Sequence, residues 1–151
     1  MVKIKRTASG DSDFQNLVRL LDEYLEIIDG KEYSFFAQFN KLDAIKNVVV
    51  YYHDDIAAGC GAFKEFDGRI VEIKRMFVRP DFRGRGVGRA VLKELELWAA
   101  ELNYSESILE THKNLPEAIR LYQKAGYHLI TNFGQYANVE ASVCMKKIIK
   151  E

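Results

Sequence analysis

The stretch VRPDFRGRGVGRAVLKELELWA, residues 78–99, constrains this chain more than any other part of it. An apolar strand ends at Val78, and a turn runs through Pro80 and Asp81. Gly84, Gly86 and Gly88 then stand at alternate positions, interleaved with Arg83, Arg85 and Arg89, and run into an amphipathic helix. Glycine lets backbone N–H groups approach a ligand with no Cβ in the way. A helix start adds unpaired N–H groups and a partial positive charge. With the arginines, this strand–loop–helix unit is suited to a pyrophosphate. The residues therefore point to a phosphate-bearing cofactor.

Two common phosphate motifs fail on spacing. The Walker pattern, GxxxxGK followed by Ser or Thr, has no match after these glycines. The dinucleotide fingerprint GxGxxG, counted from Gly84 and Gly86, meets Arg89 where its third glycine belongs. What fits is Arg or Gln, two residues, Gly, one residue, then Gly or Ala, here as Arg83, Gly86 and Gly88. In this the chain resembles the GNAT superfamily of N-acetyltransferases, which bind the pyrophosphate of acyl-CoA on such a loop. So short a pattern also describes a Gly/Arg-rich turn or an Arg-Gly nucleic-acid segment. The strand before it and the helix that begins inside it favour the acyl-CoA loop. The resemblance implies acetyl-CoA as acetyl donor, with Arg83, Gly84, Arg85, Gly86, Val87, Gly88 and Arg89 as its contacts.

Size and charge narrow the alternatives. A chain of 151 residues predicts a single domain over 1–151. Such a chain buries roughly 68–70% of its unfolded surface, so it needs no staples. The 22 basic and 22 acidic residues cancel, which disfavours nucleic acid as a partner. Cys60 and Cys144 lie in apolar runs and read as buried free thiols rather than a disulfide framework. No metal-ligand spacing links them to the three histidines, so no metal is expected. The N-terminus has no apolar leader and no run approaches a membrane span, so a cytoplasmic location is expected.

Periodicity gives the order of elements. Val2–Thr7 reads as a strand. Ser12 with Gln15 forms a capping-box pattern before a helix that Gly30 can terminate. A second short helix is expected over 33–40. Val48–Tyr52 and Ile56–Lys64 read as strands joined at His53-Asp54-Asp55, and Asp67-Gly68 as a hairpin before a strand Arg69–Val78. The loop helix runs to about 102 with the stripe Val87, Val91, Leu95, Trp98 and Leu102. A strand Ser107–Thr111 precedes a helix capped by Asn114 with Glu117 and carrying Pro116 in its first turn, with Gly126 at its C′ position. Tyr127–Thr131 and Ala141–Ile148 complete the strands. The fold class is α/β: the order gives a central mixed sheet with helices on both faces, and the resemblance implies that it is mostly antiparallel. This is the order of the GNAT fold, so the resemblance covers essentially the whole chain.

A second segment, LETHKNLPEAIRLYQKAGY at 109–127, resembles the family's N-x-x-A-x-x-L-Y-x-x-x-G followed by Phe or Tyr, with one extra residue between Asn114 and Ala118. Tyr122 stands where many members place the acid that protonates the departing CoA thiolate, and Asn114 near a cofactor-contacting Asn. A tyrosine packed by its ring is the plainer reading of Tyr122 taken alone. The reaction implied is aminolysis of a thioester. The amine must lose a proton near pKa ~10, so a base or proton-carrying water should help. Glu72, in VEIKRMFV, is the first candidate; a solvated carboxylate, or one ion-paired with Lys74, is the competing reading. Glu110 and His112 stand in reserve. The oxyanion and the pantetheine arm take backbone hydrogen bonds from the strand at Met76, Phe77 and Val78 in the resembling proteins. With phenol near ~10 and a thiol near ~8.5, proton transfer from Tyr122 is about 1.5 units uphill.

The acceptor is expected to be a small amine or amino-acid-like molecule, with a protein amine second. Tyr33, Phe35, Phe36, Phe39 and Tyr136 are candidates for its lining or for the core. Arg75 offers an acceptor carboxylate a partner, or forms an internal ion pair. A non-catalytic acyl-CoA-binding module is the alternative of a different class. A homodimer is left open.

Overall fold

The structure, a computed structural model, describes residues 1–29 and 45–151. The expected helix at 33–40, the helix terminator Gly30, and Tyr33, Phe35, Phe36 and Phe39 lie outside the described residues. Seven strands form one sheet of order β1-β2-β3-β4-β5-β7-β6. They are β1 (Val2–Thr7), β2 (Asn47–His53), β3 (Ile56–Asp67), β4 (Ile70–Val78), β5 (Glu106–His112), β6 (His128–Ile130) and β7 (Ser142–Ile148). The described helices are α1 (Ser12–Asp29), α2 (Val87–Glu101) and α3 (Pro116–Lys124). Pairing is antiparallel for β1–β2, β2–β3, β5–β7 and β6–β7, and parallel for β4–β5. The chain divides into two compact units, Met1–Lys64 with Lys74–Leu95, and Glu65–Ile73 with Glu96–Glu151.

In the first unit, strand alternation sorts the core onto two faces. Val48 and Val50 of β2 oppose Ala62 and Cys60 of β3. These four pack with Phe14, Leu17, Val18 and Leu21 of α1 and with Phe77 of β4. The other face of β3 carries Gly59 and Gly61. A Cβ on Gly61 would lie 2.5 Å from Met76 Sδ and 2.9 Å from both Val91 and Leu95 of α2. A Cβ on Gly59 would lie 2.7 Å from Val87 and 3.0 Å from the Phe77 carbonyl. The two glycines let the start of α2 sit against the strand. Gly61→Val should therefore lower stability by about 1–3 kcal/mol through overpacking. Thermal denaturation checks this; an unchanged Tm would mean that α2 is free to move away.

The turn at Asp54-Asp55 has φ of 47° and 69°, the two positive values of a type I′ hairpin. Three other details differ from expectation. The side chain that caps α1 is Asp11, not Ser12: its Oδ1 accepts the Phe14 N–H at 3.0 Å, while Lys5 pairs with its other oxygen at 2.6 Å. Two cap-competent residues stood side by side, and the ion pair favours Asp11. Asn114 with Glu117 forms no capping box; Leu115 is the N-cap of α3 and has no side-chain cap bond. The buried stripe of α2 is Val87, Val91, Leu92, Leu95 and Ala99. Leu102 is 49% exposed and lies just past the helix end, next to Asn103, which turns left-handed at φ 72°.

In the second unit, β5 and β7 are the inner strands. Ile70–Ile73 of β4 pair with Glu106–Leu109, and the whole of β5 pairs with β7. Glu106, Ile108, Glu110 and His112 share one face of β5 with Ile148, Lys146, Cys144 and Ser142 opposite. At the end of α3, Gly126 adopts φ 102°, as its expected C′ role requires. Cys60 and Cys144 are both buried free thiols.

Candidate active site

The Gly-rich loop lies in the first unit. After a short 3₁₀ turn at Pro80–Phe82, Gly84 and Gly86 take φ of 77° and 81°. The first helical bond of α2 runs from the Ala90 N–H to the Gly86 carbonyl at 3.0 Å. The amides of Val87, Gly88 and Arg89 thus precede any helical acceptor, which leaves them available to an anion. Nothing lies within 4 Å of a Cβ built on Gly84 or Gly86. Val87 and Gly88 are buried, while Arg83, Arg85 and Arg89 are exposed. Arg83 braces the loop: its Nε donates to the Val78 carbonyl at 3.0 Å, and its guanidinium lies 5.1 Å from the Tyr24 ring centroid. Arg85 lies over Phe82 at 5.3 Å. An open backbone cradle in a loop that carries three exposed arginines fits a pyrophosphate.

The strand segment before the loop holds an unexpected geometry. Arg75, in the middle of β4, has φ 59°. A non-glycine residue there carries roughly 1–3 kcal/mol of strain. It is held by a 2.8 Å ion pair from Nη1 to Asp22 of α1, the internal pair that was one of the two expectations for Arg75. The Cys60 thiol donates to its carbonyl at 3.4 Å, and burial pushes that thiol up to about 12. The kink falls immediately before Met76, Phe77 and Val78, the segment whose backbone the resemblance implies for the oxyanion and pantetheine. Phe77 turns its ring into the α1 core. Nothing in the sequence marks the left-handed backbone at Arg75, since no glycine stands there. Gly59 and Gly61 were also missed as packing residues, although alternate glycines in a strand are a readable sign of close approach.

The acid–base candidates lie in the second unit. Glu72 is 3% exposed, which removes the solvated reading. Glu110 is half-buried and accepts a 2.8 Å hydrogen bond from the Ser142 hydroxyl. Burial, then the charges of Glu110 and Glu72, push the Tyr136 phenol up. Burial also raises the Cys144 thiol, to about 11, and the same two carboxylates add to it. Glu72 and Glu110 therefore act on the same two side chains. Tyr136 is 2% exposed, which favours the core reading of that residue.

Tyr122 is 6% exposed. Burial, then the Glu110 charge, push its phenol above the ordinary range. The transfer to thiolate is therefore more uphill than the unperturbed values imply. His112 is a weak base candidate on geometry. Its Nδ1 accepts the Asn114 N–H at 3.0 Å, which places the proton of a neutral ring on Nε2. The His112 carbonyl also accepts the Leu115 N–H at 2.9 Å. His112 thus makes the turn into α3, and Asn114 stands exposed on it. Among the described residues, no group of three or more His, Cys, Asp or Glu could hold a metal.

Comparison with known proteins decides the family. Residues 14–127 match the Acetyltransferase (GNAT) family model. The chain belongs to the GNAT acetyltransferase family. An IAA acetyltransferase of Azospirillum brasilense is 38% identical over 90 residues, 59% of each chain. The chain spans about half the length of the sequence relatives it matches. A crystal structure of a proposed acyl-CoA N-acyltransferase from Klebsiella pneumoniae superposes with TM-score 0.82 at 27% identity, covering 99% of this chain and 98% of that one. An N-acetyltransferase from Thermoplasma acidophilum, solved with coenzyme A, superposes with TM-score 0.72 at 17% identity, covering 98% and 99%. The GNAT fold expected from the order of elements is thus the fold observed. None of the described helices is long and apolar enough to cross a membrane.

Proposed function

We propose that this chain transfers the acetyl group of acetyl-CoA to the primary amine of a small molecule. One observation carries the reading above the rest. The start of α2, with Gly86 at positive φ over open space, is a backbone anion cradle in a chain of an acetyltransferase family. Acetyl-CoA supplies the acetyl group as a thioester. The loop 83–89 holds its pyrophosphate, Asn114 adds a contact, and backbone amides at Met76–Val78 hold its pantetheine arm and receive charge on the acetyl oxygen. Glu72 takes the proton of the attacking amine, directly or through water. The C–N bond forms first; as the tetrahedral intermediate collapses and the C–S bond breaks, Tyr122 donates its hydroxyl proton to sulfur, the second proton lost from nitrogen passes through solvent to restore that hydroxyl, and Glu72 releases its proton to solvent.

Glu72 is preferred as base for a physical reason. The acceptor nitrogen of a neutral His112 is occupied by the Asn114 N–H, whereas a carboxylate has two oxygens and keeps lone pairs for a proton even when it accepts a hydrogen bond. Two carboxylates in one unit also favour an acceptor that arrives as an ammonium ion. CoA release from acetyl-CoA across a panel of amines tests the function. Release that depends on a small amine supports it. Tight acetyl-CoA binding with no acceptor-dependent release would identify a non-catalytic binding module instead.

Glu72→Gln keeps the side-chain shape and removes the basicity. Turnover should fall about 10²–10⁴-fold with acetyl-CoA affinity nearly intact. The acidic limb of the pH–rate profile should shift or vanish. A wild-type profile in this variant would assign deprotonation to solvent or another group.

A further inference from the structure

We infer that Tyr127 is a positioning residue for Tyr122, fixing the direction of its hydroxyl through the C-terminal cap of α3 and a ring contact. The inference rests on the reading of Tyr122 as the acid. Tyr122 and Tyr127 are the third-last helical residue and the second residue past the C-cap Ala125. The Tyr127 N–H donates to the Tyr122 carbonyl at 2.9 Å, and the Gly126 N–H to the Gln123 carbonyl at 3.1 Å. This is the paired bonding of a Schellman cap, which commonly brings those two side chains together. Here the contact is aromatic: the rings lie edge-on, 6.0 Å apart at 64°. The acid candidate is thus tied to Tyr127 by backbone and by side chain.

Tyr127 is itself anchored. Its hydroxyl shares a 2.7 Å hydrogen bond with Ser107 Oγ on β5, and both groups are buried. Lys147 Nζ lies 5.9 Å from the ring centroid and pairs with Glu96 of α2 at 2.8 Å. The Lys147 stem also runs past Gly126, 3.4 Å from where a Cβ would sit. A ring needed only for the core would be served by Phe. The hydroxyl bond to Ser107 adds a fixed orientation, and edge-to-face packing transmits orientation to the partner ring. A small misplacement of a catalytic group lowers turnover steeply.

A double-mutant cycle tests this. Tyr127→Leu and Tyr127→Phe are made in the wild-type chain and in Tyr122→Phe, and kcat and the KM for acetyl-CoA are measured. We expect Tyr127→Leu to lower kcat about tenfold and Tyr127→Phe a few-fold, with little change in KM. In the Tyr122→Phe background, both changes should have no further effect, because no hydroxyl remains to be aimed. Equal loss in both backgrounds would make Tyr127 merely structural and overturn the inference, as would normal turnover in both single variants. If Tyr127→Leu does not fold, the Tyr127→Phe cycle decides by the same criterion. Normal turnover of Tyr122→Phe by itself would remove the acid reading, and the positioning role with it. The single variant therefore separates that failure from a failure of the positioning role alone.

Discussion

Tyr122→Phe should lower turnover about 10²-fold and leave the fold almost untouched. The substitution removes one hydroxyl and keeps the ring that packs against Tyr127. Burial and the Glu110 charge hold the phenol protonated well above neutrality. This has two opposed consequences. The hydroxyl is always present as a donor at working pH, so no ionisation of Tyr122 limits the rate there. It is also a weaker acid than a solvated phenol, so proton transfer to a thiol of pKa near ~8.5 is more uphill than about 1.5 units. The effect should therefore fall at the low end of the ~10²–10⁴ range for general acids. Its largest part would be hydrogen-bond stabilisation of charge developing on sulfur. The KM for acetyl-CoA should change little, and Tm should stay close to wild type. Wild-type turnover at saturating acceptor would leave Tyr122 as a packing residue.

What the sequence made legible is what local chemistry decides. The loop at 83–89, the cap at Gly126 and the hairpin at Asp54-Asp55 each rest on residues whose backbone preferences are written in their type. What it hid is what distant partners decide. Asp11 and Ser12 compete for the same cap, and Lys5 on β1 favours the former. Asn114 looks like a cap, yet its amide is held by the His112 ring and α3 starts one residue later. Arg75 takes a left-handed backbone although its type gives no reason for it; Asp22, 53 positions away, helps to hold it there. That the charges of Glu72 and Glu110 both reach Tyr136 and Cys144 likewise depends on strand register, which periodicity alone does not fix.

Gly86→Val should weaken binding of CoA by more than an order of magnitude in a protein that still folds. Gly86 has φ 81°, where a β-branched residue is strained, so some stability is lost, about 1–2 kcal/mol. No clash adds to that, because nothing lies within 4 Å of the new Cβ. The space it enters is the space left open beside the first free amides of α2. Either the valine occupies the place of a phosphate oxygen, or the backbone relaxes to negative φ and turns the amides away. Each route removes charge-assisted hydrogen bonds worth about 1.5–3 kcal/mol apiece, and every 1.4 kcal/mol is tenfold in affinity. Gly10→Val provides the control. Gly10 also has nothing within 4 Å of a Cβ, but its φ is not in the left-handed region and it lies far from the loop in sequence. Calorimetry with CoA, run well below the Tm of each variant, should show normal affinity for Gly10→Val and a large loss for Gly86→Val. Equal affinity in the two folded variants would mean that the phosphates bind elsewhere, and the assignment of loop 83–89 would fall with it.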